Sequence, residues 1–183
     1  MGIIGKDFKY KIIKNFLSKD EIDLLSIYGE IKHRTNIKSF DFKQNNNWDT
    51  YYYGDAVIES ILIKKKDIVE KEVNLNLLGT YAYWRMYTKF AELKKHKDRE
   101  ACEISVTVNI SSDGTDWPIY MDGEAIYLNI GDAAVYLGCE VEHWREPFLG
   151  DYQMQAFLHY VNKDGKNKNH YKDKRIYWGL DAV

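Results

Sequence analysis

The chain has 183 residues, a formal net charge of −2, and 45% hydrophobic and 15% aromatic residues, enough apolar material for the core of one domain. That balance excludes a strongly basic field for nucleic acid, and no run approaches the 18 or so consecutive apolar residues of a membrane-spanning helix. Two cysteines, Cys102 and Cys139, are too few for a disulfide framework and are read as small apolar fillers in preference to metal ligands.

The first residues, MGIIGKDFKYK, lack the apolar run and cleavage site of a secretory signal. Lys6 stands where a myristoylation motif has Ser or Thr, so a soluble, cytoplasmic protein is the simplest expectation. Residues 8–16 suggest a short strand leading into a helix. Ser18-Lys19-Asp20-Glu21 reads as a capping box, and Ile22, Leu24, Leu25 and Tyr28 give the apolar stripe that follows, with Gly29 stopping or weakening the helix. Residues 34–53 carry no helical period and fit a loop or irregular strand. A second helix is expected from Asp55 to about Val73, with Ile58, Ile61, Leu62, Ile68 and Val69 inward and Lys64-Lys65-Lys66 on a solvated face.

From Thr80 the texture turns to strands. Tyr81–Tyr87 is aromatic, and Glu103–Ile110 alternates before a turn at Ser111–Gly114. Ile119–Met121 and Ala125–Asn129 flank Asp122-Gly123, a strong hairpin signal. Gly131-Asp132 marks another turn, followed by strands at Ala133–Leu137 and Gln153–Val161. Lys163–Arg175 reads as a charged, mobile tail, and Ile176–Leu180 as a segment that docks back. Two helices followed by many short strands predict a mainly β, α+β protein: a double-sheet jelly roll, or double-stranded β-helix, with N-terminal supporting helices. The division expected within one domain, 1–183, is helical support to about 79, jelly-roll core at about 80–162 and tail at 163–183.

His96-Lys97-Asp98 and the later His143 carry the chemistry. Two imidazoles and one carboxylate can grip one face of an iron ion and leave the other open, the arrangement of non-haem Fe(II) oxygenases. The tripeptide alone is a weak signal. In extended chain, however, His96 and Asp98 point to one face, and His143 follows the Ala133–Leu137 strand at a second rim. A jelly roll can bring the two rims together.

With those flanks the chain resembles the Fe(II)- and 2-oxoglutarate-dependent oxygenases, particularly those similar to prolyl 4-hydroxylases. The resemblance runs from about Tyr81 to Val161, through Tyr87-x8-His96-x-Asp98, then Gly131-Asp132-Ala133, then His143-x3-Pro147 and a strand. It implies Fe(II) held by His96, Asp98 and His143, with 2-oxoglutarate and O2 in the remaining positions, and hydroxylation of a protein or amino-acid side chain such as proline. It also implies a basic residue nine or ten positions after the distal histidine, for the far carboxylate of 2-oxoglutarate. Here those positions are Tyr152 and Gln153. Arg85, two residues before Tyr87 on the same strand face, is the favoured substitute: an Arg–Tyr pair offers a bidentate fork and a hydroxyl. Arg145 is the second candidate, and Gln153 could donate its amide. Alternatives are a non-catalytic jelly-roll binding module and an iron dioxygenase that does not use 2-oxoglutarate.

His159 faces the barrel interior by period-2 alternation and is read as a satisfied core imidazole in preference to a fourth ligand. His33 and His170 receive no role. Trp117, Trp144 and Tyr51–Tyr53 fit either a substrate groove or aromatic anchoring of loops. Substrate specificity is expected in the Thr35–Tyr53 loop and the C-terminal tail.

Overall fold

Ser18 Oγ accepts from the Glu21 backbone N–H at 3.2 Å, and the Glu21 carboxylate accepts from Ser18 N at 2.7 Å, closing the expected capping box. Behind it runs α1 (Lys19–Thr35). The computed structural model describes residues 8–35 and 49–181, so the specificity loop expected at Thr35–Tyr53 lies largely outside the described residues. Described elements continue with β1 (Tyr10–Ile13) ahead of α1, then β2 (Thr50–Tyr53), α2 (Ala56–Val73), β3 (Leu77–Thr88), β4 (Leu93–His96), β5 (Ile104–Ser112), β6 (Ile119–Met121), β7 (Glu124–Ile126), β8 (Ala133–Leu137), β9 (His143–Arg145) and β10 (Tyr152–Asn162).

The strands form two antiparallel sheets. The larger has the order β1-β8-β5-β10-β3-β2 and the smaller β4-β9-β6-β7. Their inner faces meet where Ile119 and Met121 pack with Ala134 and Tyr136. Both helices cover the outer face of the larger sheet. Leu25, Ile58, Leu62 and Val69 bury against Ala82, Trp84, Val106 and Leu158. Period-2 alternation then sends the intervening residues of those strands toward the space between the sheets. The Asp122-Gly123 hairpin is as expected, with φ of 48° and 95°, the all-positive pair a type I′ turn requires.

Four expectations change. Gly29 does not end its helix; it sits buried inside α1, where an added Cβ would run into the thioether of Met154. The glycine lets α1 lie close on β10. Leu24 is 64% exposed because the inward positions of α1 are Glu21, Leu25 and Gly29, spaced by four. On α2, Ile68 is exposed while Lys65 points inward, its Nζ 2.7 Å from Glu21 between the two helices. The C-terminal tail is pinned: Arg175 is buried and ion-paired to Glu59 at 2.5 Å, and its guanidinium also donates to the Thr80 and Leu180 carbonyls. Trp178 packs on the core as the docking segment, although Ile176 and Tyr177 remain exposed. No helix among the described residues is long and apolar enough to cross a membrane.

Candidate metal centre

His96 ends β4 and His143 begins β9, and the two are directly opposed in the antiparallel register. Their ring centroids are 4.3 Å apart. Asp98 follows two residues later, its backbone N–H donating to the Gly138 carbonyl at 2.9 Å, which ties the segment to the turn after β8. The Oδ1 atom of Asp98 lies 3.6 Å from Nε2 of His96 and 3.6 Å from Nε2 of His143. One ligand atom from each of the three residues falls within 4.8 Å of the others.

The backbone aims both imidazoles. His96 Nδ1 is 2.7 Å from the Lys94 carbonyl and His143 Nδ1 is 3.0 Å from the Val141 carbonyl. A carbonyl can only accept, so each Nδ1 carries the proton and each Nε2 presents a lone pair. This is the outer-shell arrangement that orients histidine ligands. Two lone pairs facing a carboxylate oxygen form a site that a cation stabilises. Burial pushes His143 below its ordinary pKa and keeps its lone pair free, whereas the hydrogen bond to Asp98 holds His96 above its ordinary value, so a cation must displace a proton there. Burial pushes the Asp98 carboxyl up, but His96, His159, His143 and Ser105 together hold it below its ordinary value.

These groups open into a cavity of about 240 Å³ lined also by Tyr81, Tyr83, Arg85, Tyr87, Leu93, Tyr136, Phe157 and His159, whereas Arg145 and Gln153 are not among its lining residues. Larger hollows of about 410 and 430 Å³ lie elsewhere, but among the described residues the converging metal donors face the smaller one.

The sequence-proposed co-substrate residues separate. Arg85 and Tyr87 share an inward face of β3, with the guanidinium 4.3 Å from the Tyr87 ring centre. Arg85 is also paired with Asp49, an acidic partner the sequence did not suggest. Arg145 is 2% exposed, and among the described residues it forms no ion pair. Its Nη1 donates to the Trp117 carbonyl at 2.5 Å, its guanidinium lies 4.7 Å from the Trp117 ring centre, and its Nε has no partner. Burial pushes this arginine down to about 10, with only Tyr87 and Tyr136 opposing. Gln153 stands opposite Tyr87 in register, but it lines the neighbouring hollow with Asn109 and Trp117.

Ser105, Tyr136 and Gly138 were not singled out in the sequence, yet they touch the donors. Ser105 Oγ donates to Asp98 Oδ2 at 2.8 Å, and Tyr136 Oη is 3.4 Å from His143 Nε2. A signal for Ser105 existed. In Ile104–Ile110 the polar residues Ser105, Thr107 and Asn109 alternate with Val106 and Val108, marking a polar face turned to the space between the sheets. Cys102 is buried with its Sγ 3.2 Å from Tyr81 Oη, and burial pushes its thiol up, so it stays a protonated filler. Trp117 is buried over Arg145, whereas Tyr120 and Trp144 stack at 5.1 Å on the smaller sheet.

The sequence matches no protein-family model and no curated protein. Its fold matches solved structures. A viral collagen prolyl hydroxylase from Paramecium Bursaria Chlorella virus-1, solved with 2-oxoglutarate, superposes with a TM-score of 0.62 at 16% identity, covering 84% of this chain and 96% of that one. A prolyl-4-hydroxylase from Pseudomonas putida gives 0.61 at 15% identity, covering 85% and 94%. The non-haem α-ketoglutarate-dependent carbocyclase SnoK from nogalamycin biosynthesis gives 0.71 at 11% identity, covering 87% and 81%. The chain has the fold of the 2-oxoglutarate-Fe(II) oxygenases.

Proposed function

We propose that this protein is an Fe(II)- and 2-oxoglutarate-dependent dioxygenase, its two sheets forming a double-stranded β-helix around the active site. The observation that carries the reading is the convergence of His96 Nε2, His143 Nε2 and Asp98 Oδ1, with both imidazoles already aimed by backbone carbonyls. A nitrogen–nitrogen–carboxylate set suits ferrous iron, and a site using three protein donors leaves positions for co-substrate and oxygen. When bound, iron with 2-oxoglutarate and O2 supplies the oxidising power to hydroxylate a C–H bond, with release of succinate and CO2.

The chain's own groups do the rest. His96, Asp98 and His143 would hold the ion. Arg145 is assigned the far carboxylate of 2-oxoglutarate: a buried guanidinium without a counter-ion is costly, and its Nε is a donor in need of an acceptor, whereas Arg85, which lines the cavity, is already paired with Asp49. Tyr87, against Arg85 and near Arg145, adds a hydroxyl to that pocket. Tyr81, Tyr83 and Phe157 line the cavity with aromatic rings, so the substrate reading is a compact side chain, with proline in a peptide or free as the first to test.

The test is anaerobic titration with Fe(II) and 2-oxoglutarate, followed in the visible for the weak charge-transfer band of the chelated complex. The band should form with wild type and vanish in His96→Ala. Sustained succinate release then separates an enzyme from a binding module, and O2 consumption indifferent to 2-oxoglutarate would point to the other iron dioxygenases. A wild-type protein without the band overturns the proposal.

A further inference from the structure

Asp98 turns its two oxygens toward different neighbours. Oδ1 faces the two imidazole Nε2 atoms, whereas Oδ2 accepts from Ser105 Oγ at 2.8 Å. Ser105 lies wholly buried on β5. Its Oγ is also 3.0 Å from His159 Nδ1 and 3.1 Å from the Cys102 carbonyl. A serine hydroxyl has one proton. Carboxylate and carbonyl only accept, so that proton goes to the nearer of them, Asp98. The imidazole must then provide the proton of its own contact. Direction is fixed along the chain: His159 Nδ1–H donates to Ser105, and Ser105 donates to Asp98 Oδ2.

His159 cannot readily swing away. It is 6% exposed, sits in β10 with Ser105 opposite in register, and packs on Tyr81 with ring centres 4.5 Å apart. Gly138 closes the brace from the other side. A Cβ there would stand 2.5 Å from both Asp98 Oδ2 and Ser105 Oγ and would collide with the Cys102 carbonyl.

We infer that Ser105 and His159 are positioning residues that hold Asp98 to a single ligating oxygen. The inference rests on the reading of His96, Asp98 and His143 as the metal ligands. Carboxylates bind metal ions through one oxygen or through both. Binding through both would take a position that co-substrate or oxygen needs. A hydroxyl donating to Oδ2 keeps that oxygen engaged elsewhere and pre-orients Oδ1. Asp98, Cys102 and His159 also form a second converging donor set. The Cys102 thiol is bonded to Tyr81 and the His159 Nδ1 to Ser105, so these atoms serve the brace, with no second ion called for.

The experiment is Co(II) titration of the whole chain, with Ser105→Ala and His159→Phe beside wild type and a metal-free melt of each. Outer partners of metal ligands typically contribute 10–100-fold in affinity. Ser105→Ala is expected to weaken Co(II) binding at least tenfold and to alter the Co(II) visible bands, with a lowered metal-free melt from the lost buried hydrogen bond but a chain still folded at the titration temperature. His159→Phe keeps the hydroxyl but removes its donor, and falls between. Affinity and bands within about threefold of wild type in both variants overturn the inference. Should Ser105→Ala fail to fold, unchanged Co(II) binding by His159→Phe overturns it. A wild type that binds no Co(II) sinks the metal-site reading itself, a failure distinguishable because no variant is needed to see it.

Discussion

Arg85 donates from Nε to Asp49 Oδ2 at 2.9 Å and closes the pair with a second, shorter contact from Nη2. The other Asp49 oxygen accepts from Thr88 N and Oγ1 at 2.8 and 3.0 Å. An arginine held this way has its counter-charge. Arg145, fully buried against Trp117, has none among the described residues. Arg85 lines the cavity with its charge already balanced, so the role proposed for Arg145 rests on that arginine's missing counter-charge alone.

Arg145→Leu is accordingly expected to raise the half-saturation for 2-oxoglutarate at least tenfold, while iron content stays near normal. That is the effect of losing a charge-assisted hydrogen bond of about 1.5–3 kcal/mol. The co-substrate-free melt should hold or rise, since the variant removes an unpaired buried charge. Arg85→Leu should strand Asp49, lower the melting temperature and shift half-saturation less than about threefold. The opposite ranking in steady-state kinetics returns the role to Arg85.

The shared face of His96 and Asp98 was legible because in extended chain a spacing of two fixes the face. The hairpin at Asp122-Gly123 was legible because only certain residues tolerate two successive positive φ values. Pairing between distant segments was not. β4 is four residues long with two exposed lysines, and nothing local announces that His96 lies opposite His143. Likewise Lys65 read as one of three solvated lysines, because its partner Glu21 stands 44 residues away on another helix. Asp49 and Arg85, 36 apart, were hidden for the same reason.

Metal should stabilise the folded chain. At free Co(II) about one hundred times Kd, mass action adds about 2.7 kcal/mol. For a domain of this size that is roughly 5–10 °C in melting temperature. A chelator should reverse the shift, and His143→Ala should abolish it. The shift should also shrink in acid. His96 has a raised pKa, so below that value it holds a proton that the ion must displace; above it the lone pair is free. Thermal shifts measured from pH 5.5 to 8 that stay flat would contradict this.

Gly138→Ala tests the packing behind the site. The added methyl would press on the Asp98 carboxylate, the Ser105 hydroxyl and the Cys102 backbone together. Backbone cannot yield as a side-chain tip can, so the expected cost is about 1–3 kcal/mol of stability with at least a tenfold loss in Co(II) affinity. Full metal affinity in a folded Gly138→Ala protein would show that Asp98 is held from elsewhere.

Acid should release the joint between the helices. Burial pushes the Glu21 carboxyl up, but hydrogen bonds from Lys65, the Ser18 N–H and Lys64 outweigh it and bring it down to about 2. A carboxyl depressed in the folded state contributes stability above its unfolded pKa and loses it as pH falls through the folded value. The window here runs from about pH 5 down to pH 2, and the amount is on the order of 2–3 kcal/mol. Glu21→Gln removes the titrating group and leaves Lys65 buried without its partner, so the variant should be weaker at pH 7 and flatter below pH 5. Urea unfolding at pH 7, 5, 4 and 3 measures the difference directly. Parallel pH profiles for wild type and variant would show that Glu21 titrates as an ordinary exposed carboxylate and that the ion pair does not join α1 to α2.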